Sequence, residues 1–224
     1  MDIRGFVGER CVFEVHTSFG IFPAAALAEQ AGVKVTPAEQ VRIAAPSGVD
    51  IDLKARPARF FEGPGGAPRL AGPMLLMLDR ITALDPHGGP KGLGWARAEK
   101  LIDPAEWFFK AHFFQDPVQP GSLGLEGLLQ LLQVVMIERG LGEGLEGARF
   151  EPIEIGRQLT WKYRGQVFPE STRTTMEIEI EEIGRDERGP CARAQGWLWV
   201  DGARVYHAID LGMRIVCSAV KGNS

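Results

Sequence analysis

The 224 residues carry 45% hydrophobic and 24% charged side chains, ordinary proportions for a globular chain with room for one large domain or one domain plus an extension. A net charge of -4 gives no general attraction to nucleic acid or acidic membranes, which sets those partners aside. Cys11, Cys191 and Cys217 form neither a metal-spaced motif nor an even disulfide framework, so each is expected to be a small buried hydrophobe in a reducing compartment.

The opening MDIRGFVGER lacks the apolar run of a secretory signal, and no stretch is expected to reach the ~18 apolar residues of a membrane span; a cytoplasmic location follows as the expectation. A short helix is predicted from Ala24 to Val33, started after Pro23 and stopped at Gly32, and a strand from Val49 to Ala55. The run Gly63 to Pro73, GPGGAPRLAGP, holds four Gly and three Pro and is expected to be a linker. The chain therefore divides into 1–62 (an N-terminal extension or inter-domain segment), 63–73 (the linker) and 74–218 (the main domain). The extension has too few large apolar side chains to fold alone and is expected to lie against the main domain or a neighbour.

Past the linker, the apolar stretch Leu75 to Leu84 breaks at Asp85-Pro86, and Gly92 to Ile102 returns as a strand. Ser122 to Gly140, apolar on nearly all sides, is predicted to be a buried helix of several turns. Trp161 to Pro169 is a further expected strand. Thr175 to Ile183 alternates apolar residues with Glu177, Glu179 and Glu181, the pattern of a sheet with one solvated face. Cys191 to Val200 and Ala203 to Val216 pair through the turn Asp201-Gly202. One buried helix followed by long antiparallel strands implies an α+β fold, with a curved sheet wrapped around that helix.

Three polar residues interrupt the helix, and their spacing puts Glu126, Gln130 and Gln133 on one face. Leu125, Leu128, Leu129, Leu131, Leu132, Val134 and Val135 occupy the others, leaving a polar stripe too narrow for a surface helix. A carboxylate so surrounded is expected to be buried, with a raised pKa. Upstream, His112 stands among Phe108, Phe109, Phe113 and Phe114, where a histidine is more often a satisfied core residue than a catalyst. Two neighbours change that judgement. Asp116 to Gly121, DPVQPG, is a rigid turn feeding the helix, and the free N–H groups at the helix start suit a thioester oxygen gaining negative charge. A base, an oxyanion site and an acid thus lie within one short segment. His16, His87 and His207 have no partners at metal spacing and are expected in surface or turn positions; no metal site is expected.

AHFFQDPVQPGSLGLEGLLQ resembles the active-site segment of 3-hydroxyacyl-ACP dehydratases of the 3-hydroxydecanoyl-ACP dehydratase/isomerase (FabA-like) type. Within that type it looks most similar to the dehydratase domains of polyunsaturated fatty acid and polyketide synthases. The resemblance extends from PMLLMLDRI to LWVDGARVYHAIDLGMRIV, and its most specific motif is His-x3-Asp-Pro-Val-x-Pro-Gly with an acid fourteen positions after the histidine. It implies a hot-dog fold, His112 as base, Glu126 as acid, a Val118 carbonyl orienting the imidazole, a Gly121 N–H on the thioester oxygen, and Gln130 holding the Glu126 carboxyl. It further implies no cofactor beyond the phosphopantetheine arm of an acyl carrier protein, and a homodimer or a pseudo-dimer with another hot-dog domain. This chain departs from the dehydratase/isomerase pattern at Glu126, where those enzymes carry Asp and the purely dehydrating relatives Glu, at Gln115, usually Gly, and at Ser122, usually Cys. The rival readings are a hot-dog thioesterase, a non-catalytic acyl-binding partner domain, and an isomerase that moves the 2,3 double bond with the same histidine.

Overall fold

The computed structural model describes residues 1–21, 23, 32–63 and 66–217. The chain divides into two compact units, Met1–Gln30 and Ala31–Ser224. In the first, β1 (Asp2–Val7) and β2 (Arg10–His16) form an antiparallel hairpin with Ile3, Phe6, Val12 and Phe13 exposed. The helix expected from Ala24 to Val33 lies outside the described residues except for its last two positions.

The second unit contains α1 (Pro37–Ala44), β3 (Ile51–Asp52), α2 (Ala58–Phe61), a 3-10 turn (Pro73–Leu75), β4 (Arg80–Asp85), β5 (Trp95–Leu101), α3 (Trp107–Ala111) and α4 (Gly121–Glu138). After these come β6 (Ala148–Phe150), β7 (Thr160–Tyr163), β8 (Arg173–Asp186), β9 (Gly189–Val200) and β10 (Ala203–Cys217). The strands make one antiparallel sheet in the order β3-β4-β5-β8-β9-β10-β6, and β7 also pairs with β10. The β9–β10 hairpin turns at Asp201-Gly202, whose φ angles of +49 and +88 are those of the two-residue turn expected there.

The sheet curls around α4. Leu128, Leu131, Leu132 and Val135 of the helix share a core with Met176, Ile178, Leu198 and Tyr206 of the strands. Glycine permits the close approach: a β-carbon at Gly124 would lie 2.4 Å from Cε2 of the buried Tyr206. A curved antiparallel sheet around a long buried helix is the α+β, hot-dog arrangement expected. By length and composition alone α4 is also apolar enough to cross a membrane, contrary to the expectation that no stretch would be; here it is the helix at the centre of the sheet, mostly buried.

The division of the chain falls earlier than the Gly/Pro run suggests. β3 pairs with β4, and Leu53, Phe60, Phe61 and Leu70 join the main core, so residues 31–62 are in the larger unit. Within the expected linker, Leu70 is buried and its N–H donates to the Phe60 carbonyl at 2.9 Å. A few large side chains in a polar stretch suffice once they dock on a core that already exists.

The outer face of the sheet also differs from expectation. Thr36 and Glu39 form a capping box that starts α1, and charged side chains join the helix to β5, β8 and β10. Arg42 pairs with Glu177 at 2.7 Å and Glu179 at 2.5 Å, and Arg204 pairs with Glu39 at 2.6 Å. Arg97 donates to the carbonyls of Arg42, Ile43 and Ala45, which end the helix. Glu177, expected in a solvated row, is therefore 1% exposed. His207 is not a surface residue either: it is half-buried, stacks on Trp197, and sets Nε2 3.0 Å from Gln195 Oε1. Of the cysteines only Cys191 is buried, while Cys11 and Cys217 are exposed. The strand expected from Trp161 to Pro169 ends at Tyr163, one residue before the Arg164 N–H donates to the Val205 carbonyl at 2.8 Å.

Candidate active site

α3 ends at His112, whose N–H caps the helix on the Phe108 carbonyl at 3.0 Å. The four surrounding phenylalanines divide: Phe108 and Phe109 anchor α3 in the interior, while Phe113 and Phe114 are exposed. His112 itself is half-buried, with its ring 4.0 Å from that of Phe113. Its Nδ1 lies 3.1 Å from the carbonyl of the buried Val118. A carbonyl only accepts, so the neutral imidazole carries its proton on Nδ1 and leaves Nε2 free as a base. The chain reaches Val118 through Gln115 at φ +61, a conformation in which a β-carbon is strained.

Gly121 is the first residue of α4, and the preceding Pro120 offers no side-chain cap. The first N–H groups of a helix have no acceptor within it and sit at its positive end. A β-carbon at Gly121 would lie 2.8 Å from Cη2 of Trp161 and 3.1 Å from Cε2 of Tyr163. Trp161, Tyr163 and Tyr206 pack ring against ring beneath this start, fixing the height of the helix over the sheet.

One turn further, Glu126 accepts from Gln130 Nε2 at 2.8 Å. Gln130 is fully buried; it also donates to the Leu75 carbonyl at 2.7 Å and accepts from the Met77 N–H at 2.8 Å. These bonds tie the carboxyl to the segment ahead of β4. Burial holds the Glu126 pKa above the ordinary carboxylate range, and the Gln130 hydrogen bond only partly opposes it. Glu126 and Gln133 line a cavity of about 490 Å³ together with Arg56, Phe61, Arg69 and Arg149; His112 does not line it. The structure thus joins His112 to Val118 and Glu126 to Gln130 without placing base and acid in that one cavity. The arginines around it carry no local motif, and sequence reasoning missed them.

The FabA-like domain family matches residues 70–209. One component of a polyunsaturated fatty acid synthase from Thraustochytrium sp. is 32% identical over 213 aligned residues, covering 89% of this chain, and the chain spans 14% of that protein's length. Among solved structures, the dehydratase heterocomplex ApeI:P from Xenorhabdus doucetiae is 12% identical, with a TM-score of 0.46 over 67% of this chain and 89% of that one. A mutant thioesterase from Pseudomonas aeruginosa is 15% identical, with a TM-score of 0.41 over 63% of this chain and 83% of that one. The family match runs from the approach to β4 into β10, taking in the central helix, His112 and Glu126, and over that span the chain belongs to the FabA-like domain family.

Proposed function

We propose that this chain dehydrates a 3-hydroxyacyl thioester to the 2-enoyl thioester, as one step of fatty acid or polyketide assembly. The observation that carries the reading is the pairing of an imidazole held on the Val118 carbonyl with a buried carboxyl biased toward its protonated form. His112 Nε2 removes a proton from C2 while the Gly121 N–H stabilises the developing negative charge on the thioester oxygen. Glu126 gives its proton to the C3 hydroxyl, which leaves as water as the double bond forms. The proton taken by His112 balances the one Glu126 gives up, so the reaction draws on no cofactor beyond the arm that carries the acyl group.

The acyl group arrives on a carrier-protein phosphopantetheine arm, and the working form is a homodimer or a pseudo-dimer with another hot-dog domain. The absence of His112 from the Glu126 cavity supports this, as do the exposed Phe113 and Phe114 beside the histidine. The similarity to one component of a large synthase supports a multidomain setting in which Met1–Gln30 is inter-domain sequence. Unpaired, exposed Cys11 and Cys217 suit a cytoplasmic location.

Mass-spectrometric turnover of 3-hydroxyacyl thioesters tests the reaction. The wild type yields the enoyl product, and His112→Ala, with fold and assembly intact, loses about 10²–10⁴ in rate. Release of the free acid by the wild type would establish a thioesterase instead. No change on any chain length or carrier would leave an acyl-binding role. Full turnover by a demonstrated monomer would overturn the two-domain site.

A further inference from the structure

The start of α4 rests on rings to which the proposed reaction gives no part. Thr160 and Lys162 of β7 are exposed, and the alternation of the strand turns Trp161 and Tyr163 inward. β7 is held on β10, where Tyr163 pairs with Tyr206 and Trp161 with Ala208. Tyr206 is fully buried, and its ring lies 5.4 Å from that of Trp161 and 4.9 Å from that of Tyr163. The three rings form a close-packed block backed by the sheet.

Gly121 stands against this block. A β-carbon there would come within 2.8 Å of Trp161 Cη2, 3.2 Å of Trp161 Cζ2 and 3.1 Å of Tyr163 Cε2. Cη2 and Cζ2 belong to the benzene ring of the indole, which the shorter side chain of phenylalanine does not reach. Trp161 Nε1 is buried without a hydrogen-bond partner among the described residues. An unpaired buried N–H is unfavourable, so the indole is there for its shape. Pro120 offers no side-chain cap, and packing rather than a cap bond locates this end of the helix.

We infer that Trp161 is a positioning residue: the far ring of its indole is a wedge that fixes the Gly121 N–H at the height where it meets the thioester oxygen. The part about the oxygen rests on the dehydratase reading, and the wedge rests on packing alone. The charge that this N–H stabilises develops in the transition state, so moving the N–H lowers kcat and spares KM. Gly121→Ala keeps the N–H but drives a methyl into the indole. Trp161→Phe frees that space, and the methyl of Gly121→Ala refills it.

Steady-state dehydration of a 3-hydroxyacyl thioester by the full chain tests the wedge in wild type, Trp161→Phe, Gly121→Ala and the double variant. Circular dichroism and light scattering confirm fold and assembly in each. Each single variant is expected to lose up to about 10² in kcat at unchanged KM, the effect of displacing a reacting contact by about 1 Å. The double variant is expected to lose about tenfold less than the product of the two single losses, because the two sites touch. Wild-type kcat in Trp161→Phe, a loss carried by KM, or independent losses in the double variant overturns the wedge. If Trp161→Phe does not fold, Gly121→Ala decides alone: a kcat loss at unchanged KM supports the wedge and an unchanged kcat overturns it. A substrate-free reading separates this outcome from failure of the dehydratase reading. With glycine isotopically labelled, the Gly121 amide resonance, assigned by its loss in Gly121→Ala, is expected to shift in Trp161→Phe. A shift without dehydration by the wild type sinks the reaction and leaves the wedge. Dehydration with an unmoved resonance sinks the wedge and leaves the reaction, and the absence of both sinks both.

Discussion

At the residue scale, the candidate site rests on one imidazole oriented by a backbone carbonyl and one carboxyl whose pKa burial raises. Val118 leaves Nε2 of His112 free, and burial keeps Glu126 protonated beyond the usual range. In the proposed reaction Glu126 acts while protonated, so turnover is expected to fall as pH rises through its elevated pKa. Gln130 donates to the carboxylate and so lowers that pKa; Gln130→Leu should move the alkaline limb of the kcat/KM profile upward while reducing its height. The stability effect has the same sign. Because the folded pKa lies above the unfolded value, the contribution of Glu126 is complete below the unfolded value and is lost as pH rises through the folded one. Thermal melts across that range should record the loss in the wild type and not in Glu126→Gln. Gln115 offers a separate test, since its φ of +61 suits glycine; Gln115→Gly should raise stability by about 1 kcal/mol in chemical denaturation. Glu126, Gln130 and His112 were legible because helical spacing and one continuous motif hold them together. Arg56, Arg69 and Arg149 were not, because they come from three separate segments that meet only on folding.

At the element scale, α4 needs glycine where it crosses the strands. Gly124→Ala would drive a methyl against Tyr206, and equilibrium denaturation should show a loss of roughly 1–3 kcal/mol, the usual cost of overpacking. The central helix and the β9–β10 hairpin were readable because apolar run length and Asp-Gly turn chemistry are local signals. α1 was missed although Thr36-Pro-Ala-Glu39 is a capping-box sequence. Its face toward the sheet is charged, so no apolar stripe marks it, and for the same reason the alternating glutamates of β8 resembled a wet face. The polarity of Glu177 was read correctly, but its surroundings were supplied by Arg42, 135 positions away in the chain.

At the scale of the whole molecule, the side chains that complete the core do not all come from the span shared with the family. That span starts at residue 70, whereas the compact unit starts at Ala31, and Leu53, Phe60 and Phe61 lie between the two. A chain cut to 31–217 is expected to melt cooperatively, and one cut to 70–217 to lose that transition and bind hydrophobic dyes, which circular dichroism and dye fluorescence would distinguish. Phe60 and Phe61 therefore cover part of the core that the central helix and the strands share. Residues 53–61 thus mark where an excised domain has to begin if its core is to stay covered.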